Sequence, residues 1–176
     1  IAGRTTPQGL AGELSGASGK IGAVPLTMSE IGGAWRYAGG ALSLDGGLLL
    51  TDAAPEARFA PLVSRSANLR FANGAIDATA AFSERQKGVK ILDTVIHHKL
   101  GDGTGFADLI VKELRFDDNF QPDMLTPLAL GVVANVQGSV VGDGRIEWTP
   151  DGVKSRGTFA TANTNLAAAF GPVTGL

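Results

Sequence analysis

Apolar and polar positions alternate along most of this chain, and glycines punctuate the alternation. In "SVVGDGRIEWTPDGVKSRGTF", residues 139–159, Val140, Ile146 and Trp148 share one parity, and Ser155 and Phe159 the other. Residues of one parity line one surface of a strand and the rest face away. With Gly142-Asp143-Gly144 and Pro150-Asp151-Gly152 as turns, the stretch predicts a three-strand antiparallel meander. "AWRYAGGALSLDGGLLLTD" predicts a second, with turns at Gly39-Gly40 and Gly46-Gly47 between strands 34–38, 41–45 and 48–52. Asn73-Gly74 is a hairpin turn, between a strand at 67–71 and one in which Ile76, Ala78, Ala80 and Phe82 fall on one face.

Residues 88–100 carry apolar side chains on both parities, which predicts a strand covered on both faces. "GDGTG" at 101–105 is a loop, and residues 106–116 form another strand. Residues 9–24 have a glycine every three or four positions. That spacing opposes helix and suits short strands with turns or bulges. Residues 53–65 are a connector with two prolines.

"QPDMLTPLALGVVANV" departs from the alternation. Pro122 at a first-turn position and apolar residues at 124, 125, 128 and 132 predict a short helix near 121–134, which Pro127 can split. A second helical turn is expected near 164–170. The reading is a mainly β chain of about ten to twelve strands with one or two short helices.

Composition narrows the function classes. The 176 residues include 25 glycines, about twice the usual ~7% share. The net charge of −2 gives no general basic field for nucleic acid. There is no cysteine, which excludes disulfides and thiol chemistry; bacterial envelope proteins and cytoplasmic ones share that trait. No apolar run reaches the ~18 residues of a membrane span. The chain opens at Ile1 and ends in "FGPVTGL", which reads as a piece of a longer protein.

Candidate chemistry is thin. His97 and His98, the only histidines, are adjacent on a strand and point to opposite faces, so they cannot share a metal. "GASGKIG" fails the phosphate-loop pattern twice, at Leu14 and at Ile21. Asp117-Asp118-Asn119 lacks calcium-loop spacing and suits a turn. Arg58, Arg65 and Arg70 could meet a lipid headgroup or simply be solvated. Trp35, Tyr37 and Trp148 could make a sugar platform or a core wall. No nucleophile–base pair and no carboxylate pair calls for catalysis, so the expectation is a non-enzyme with no cofactor and no metal.

Three blocks carry a family likeness: "GGALSLDGGLLLTDAAPEARFAPL", "LRFDDNFQPDMLTPLALGVVANVQGSVVGDGRIEW" and "AAAFGPVTGL". Together they resemble the YdbH family of AsmA-like, TamB-related envelope proteins of Gram-negative bacteria, formerly labelled "dicarboxylate transport". The resemblance runs from about Ala34 to the end. It implies a long β-sheet curled into an open groove with an apolar interior. It also implies a periplasmic location, an inner-membrane anchor in the part missing from this chain, and phospholipid transport between inner and outer membranes. A small outer-membrane lipoprotein that pairs near the C-terminal end is the implied partner. The chain would then be one C-terminal segment, 1–176, of a longer groove protein. The dicarboxylate label has no support, because no converging arginines mark a closed pocket.

Physical chemistry fits that expectation. Burying a methylene stabilises by ~0.8 kcal/mol, so a sixteen-carbon tail costs on the order of 12 kcal/mol in bare water. A continuous apolar wall removes most of that barrier without chemistry. The expected lining is Ile76, Ala78, Ala80, Phe82, Val140, Ile146, Trp148 and Phe159, with phospholipid acyl chains as the ligand. A closed β-sandwich would place the same residues in its core. An adhesive or structural module with a closed core and a carbohydrate-binding domain therefore remain as alternatives. What separates them is whether the apolar face closes or stays open.

Overall fold

The computed structural model describes residues 1–21, 24–168 and 171–173. They form one sheet of eleven strands. In chain order these are β1 (Ala2–Thr6), β2 (Gly9–Ile21), β3 (Leu26–Ala38), β4 (Ala41–Asp52), β5 (Leu62–Ala72), β6 (Ala75–Glu84), β7 (Lys90–Lys99), β8 (Gly105–Phe116), β9 (Val133–Thr149), β10 (Gly152–Ala168) and β11 (Gly171–Val173). Spatial order equals chain order, and each strand runs antiparallel to the next. The first and last strands do not pair with each other, so the sheet is an open groove and not a barrel.

Several turns expected from glycine are strand interior instead. Gly46-Gly47 lies inside β4, and Gly33 pairs directly with Gly46. A Cβ at Gly46 would sit 1.9 Å from the Gly32 carbonyl oxygen, and one at Gly33 2.1 Å from that of Asp45. These glycines let two strands approach closely rather than reverse direction. Gly142-Asp143-Gly144 is likewise inside β9, and β10 pairs with it without a break from Gly152 to Ala162. The stretch 139–159 is therefore one long hairpin, not a three-strand meander. Residues 9–21 form a single strand whose register shifts twice against β3, so their glycines mark bulges. The connector after β4 ends at residue 61, earlier than expected.

The helix expected near 121–134 shrinks to α1 (Pro122–Leu125) followed by a 3-10 turn at Pro127–Ala129. Pro127 cannot continue the first turn, and Thr126 before it is held in extended backbone. The helix expected near 164–170 is replaced by strand as far as Ala168, where Ala167 and Ala168 pair with Ala134 and Val133. Residues 169 and 170 of that expectation, and much of "FGPVTGL", lie outside the described residues.

One end of the sheet carries the tight hairpin turns at 39–40, 73–74, 100–104 and 150–151. The other carries the longer connectors. There the β4–β5 connector (53–61) and the β8–β9 connector (117–132) reach across β6 and β7 and bond to each other. The Ala60 N–H donates to the Leu125 carbonyl at 2.7 Å, and the Thr126 hydroxyl donates to the Arg58 carbonyl at 2.5 Å. Strands separated by two neighbours are thereby linked through their connectors. Beneath this strap lies the packed core: Leu62, Phe82, Ile91, Leu114, Phe116, Phe120 and Val136, with Phe59, Met124 and Leu125 packed against it.

Candidate functional site

In an antiparallel pair, directly opposed residues point to the same side. Following the register across the sheet therefore sorts every side chain. One row runs Tyr37, Leu42, Phe71, Ile76, His98, Gly105, Trp148, Val153. The next row on that side runs Trp35, Leu44, Leu69, Ala78, Ile96, Ala107, Ile146, Ser155. Shifting every strand by one residue gives the opposite face: Arg36, Ser43, Arg70, Asp77, His97, Phe106, Glu147, Lys154. One side of the sheet is almost wholly apolar and the other is charged.

The register puts all eight residues named from the sequence on the apolar side. On β6, Ile76, Ala78, Ala80 and Phe82 oppose His98, Ile96, Thr94 and Leu92. On β9, Trp148, Ile146 and Val140 oppose Gly105, Ala107 and Leu114, and Phe159 of β10 opposes Gly142. Their surroundings differ. Ile76, Ala78, Ile146 and Trp148 occupy the hairpin-turn half, where they are partly exposed. Phe82, only 6% exposed, belongs to the core under the strap, and Ala80 and Val140 pack against it. Phe159 stands on the outlying strand β10 and is 68% exposed.

Leu42, Leu44, Leu69, Phe71, Ile96 and Leu109 share this face, and sequence reasoning passed over them. The alternation at 42/44 and 69/71 was the available signal, but assigning the face across strands requires the register. His98 Nδ1 lies 3.0 Å from the Thr104 carbonyl oxygen and 3.1 Å from the Trp148 indole nitrogen, so the tautomer of His98 decides which of the two it bonds. Trp35 and Tyr37 lie on β3, far across the sheet from Trp148, so the three aromatics form no common platform.

The charged face is knitted by pairs between neighbouring strands. His97 Nδ1 lies 2.7 Å from Asp77, and Arg145 Nε lies 2.8 Å from Asp108 with its guanidinium 4.0 Å over the Phe106 ring. Asp93 sits between Lys90 and Lys112, whose ammonium groups hold its carboxyl below the usual range. Two shallow depressions indent this side, of 780 Å³ over β1–β4 and 540 Å³ over β5–β8. The first is lined by Arg4, Glu13, Arg36 and Asp45, which do not suit a hydrocarbon; the second sets Arg70, Asp77 and His97 around Val95, Ile96 and Phe106. Among the described residues no group of three or more His, Asp or Glu could hold a metal, and no helix is long and apolar enough to cross a membrane.

The strap is latched by one carboxylate. Asp52, at the end of β4, accepts from the backbone N–H groups of Ala54 and Arg58 and from two guanidinium nitrogens of Arg58. The Arg58 side chain, its backbone N–H and then that of Ala54 hold the Asp52 carboxyl far below its ordinary range. On the other connector, the Gln121 side chain donates to the Asp117 and Val136 carbonyls and accepts from the Val136 N–H.

A family model described as YdbH-like, "Intermembrane phospholipid transport protein YdbH", matches residues 2–176. The chain belongs to the YdbH-like family. No curated protein and no solved structure matches it. YdbH-like proteins are a lipid-transport family and not an enzyme family, and their work implies lipid binding. The single open antiparallel sheet of this YdbH-like chain is the one the resemblance implied.

Proposed function

We propose that this chain carries phospholipid by sheltering an acyl tail along the apolar face, in the half the strap leaves uncovered. The observation that carries the reading is the pair of apolar rows continuing strand after strand from β3 to β9. The described strands lie in one sheet, so no second described sheet closes over those rows as in a sandwich. The two rows carry no Asp, Glu, Lys or Arg from β3 to β10, and their small residues, Ala78 and Ala107 among them, leave room for a sliding chain. Specific grip would slow transfer; a uniform aliphatic wall lowers the aqueous barrier without creating a deep well.

In this reading the chain is one segment of a longer β-groove that crosses the periplasm between inner and outer membranes, anchored to the inner membrane by a part outside the sequence. Among the described residues β11 pairs with β10 only at 166–168, so β10 presents an edge along 152–162. A small outer-membrane lipoprotein could extend the sheet there.

The test is site-specific photo-crosslinking in living cells. Ile146 and Arg145 are sequence neighbours on opposite faces, so a crosslinker at 146 is expected to capture phospholipid and one at 145 is not. Equal capture at both positions removes the facial assignment, and no capture at 146 removes the transport reading.

A further inference from the structure

The charged side of the sheet is not uniform. On β6 to β9, Asp77, Asp93, Asp108 and Glu147 are each held by a cation or a histidine. On β1 to β5 the register sets out two rows on this side. One is Arg4, Ala11, Arg36, Ser43, Arg70, and beside it runs Ala2, Glu13, Ala34, Asp45, Asn68. The five charged groups here form no ion pair among the described residues. The side chains of Arg4, Glu13 and Arg70 make no hydrogen bond there either, Arg36 has only a long one of 3.4 Å to Gln8, and Asp45 bonds only the Asn68 amide. Arg70 directly opposes Asp77, but that carboxylate is taken by His97.

The signs alternate from strand to strand. Glu13 is the diagonal neighbour of Arg4 and Arg36, and Asp45 that of Arg36 and Arg70, a spacing of ~7–8 Å. Arginines on every second strand stand about 10 Å apart along the row. Between them lie Ala11, Ala34 and Ser43, too short to fill the space, and the result is the 780 Å³ depression that Arg4, Glu13, Arg36 and Asp45 border. A polyanion fits it poorly, because a carboxylate interrupts every step between arginines. A bare anion such as inorganic phosphate gains a guanidinium and meets a carboxylate beside it. A ligand with an anion and a cation a few bonds apart satisfies both signs at once. A phosphate ester suits the arginine fork, and an ammonium suits the acid.

We infer that the depression over β1–β4 binds a phosphoethanolamine-type zwitterion, its phosphate accepting from Arg36 and its ammonium donating to Glu13. The chemistry is the same whether the ester is free in solution or forms the head of a phospholipid. The site lies on the side of the sheet opposite the apolar rows, so its failure would leave lipid capture at 146 untouched.

Isothermal titration calorimetry with glycerophosphoethanolamine tests the site, with glycerol 3-phosphate, which lacks the ammonium, as the comparison. The first ligand is expected to bind, and Arg36→Gln to weaken both about tenfold or more. Glu13→Gln has a sign of its own: it is expected to weaken glycerophosphoethanolamine and to strengthen glycerol 3-phosphate. Strengthening of both would make Glu13 only a repeller of anions and overturns the zwitterion site. No binding of glycerophosphoethanolamine overturns it as well. Lys154→Gln, at the β10 end of the same row, should change neither affinity. Positions 13, 36 and 154 are exposed, so circular dichroism should be the same for all the variants. Flotation with phosphatidylcholine vesicles containing phosphatidylethanolamine names the source. Capture that Arg36→Gln abolishes assigns a lipid head, and binding of the soluble ester without capture assigns a free one.

Discussion

The two ends of the apolar face are built from the same strands and the same alternation, yet they behave as different materials. Under the strap, Phe82 opposes Ser64 and Leu92 and is closed over by two connectors. Four residues away on the same strand, Ala78 opposes Leu69 and Ile96 and remains partly exposed. The difference is not in the sheet but in what crosses it. Burial depends on whether a loop long enough to span the face exists at that end. The hairpin turns at the other end are too short to fold back over the strands. One end therefore supplies stability, and the other stays uncovered by any described connector.

The sharpest way to break this comparison is a pair of truncations. Phe82→Ala is expected to cost about 3–5 kcal/mol in denaturant unfolding, the range for a buried aromatic. Ile146→Ala is expected to cost about 1 kcal/mol, because its side chain is already partly in water. Similar costs at both positions would mean that the open half is packed in solution. The second test releases the latch. Arg58→Ala removes the guanidinium from Asp52, and faster hydrogen exchange is expected at Ala60, whose N–H crosses to Leu125. Amides of the hairpin-turn half, such as that of Ile146, should keep their protection.

The smallest effect expected is with pH. Asp52 is depressed in the folded protein, so its contribution is fully present above the ordinary carboxylate range and is lost only as pH falls through the depressed value. Exchange at Ala60, corrected for intrinsic chemistry, should then show an unchanged opening equilibrium from about pH 5 to pH 9. A change near neutral pH would assign the latch to some other group.

Period-two alternation made the faces legible from the sequence. Ile76, Ala78, Ala80 and Phe82 were grouped correctly because a strand leaves no freedom about which side a residue takes. Joining Ile146 to Ser155 was harder, since their parities differ; only the turn at 150–151 fixes the register that sets them side by side. Glycine misled. At Gly46 and Gly142 it serves close backbone approach or continuous strand, and sequence alone does not separate that use from a turn. The strap was invisible for a different reason. Its bonds join residues 58 and 60 to 126 and 125, and no local pattern announces a contact between two loops that far apart. The helix near 121–134 was read from Pro122 and its apolar neighbours, but Pro127 cut it to a single turn.

Because every described strand pairs only with the strand before and the strand after it, length is a free variable in this architecture. Adding or deleting two successive strands returns the chain to the same end and preserves which side is greasy. Changing the count by one would bring the next connector out at the opposite rim. A lineage could therefore tune its reach across a gap of any width in units of one hairpin, without redesigning the wall.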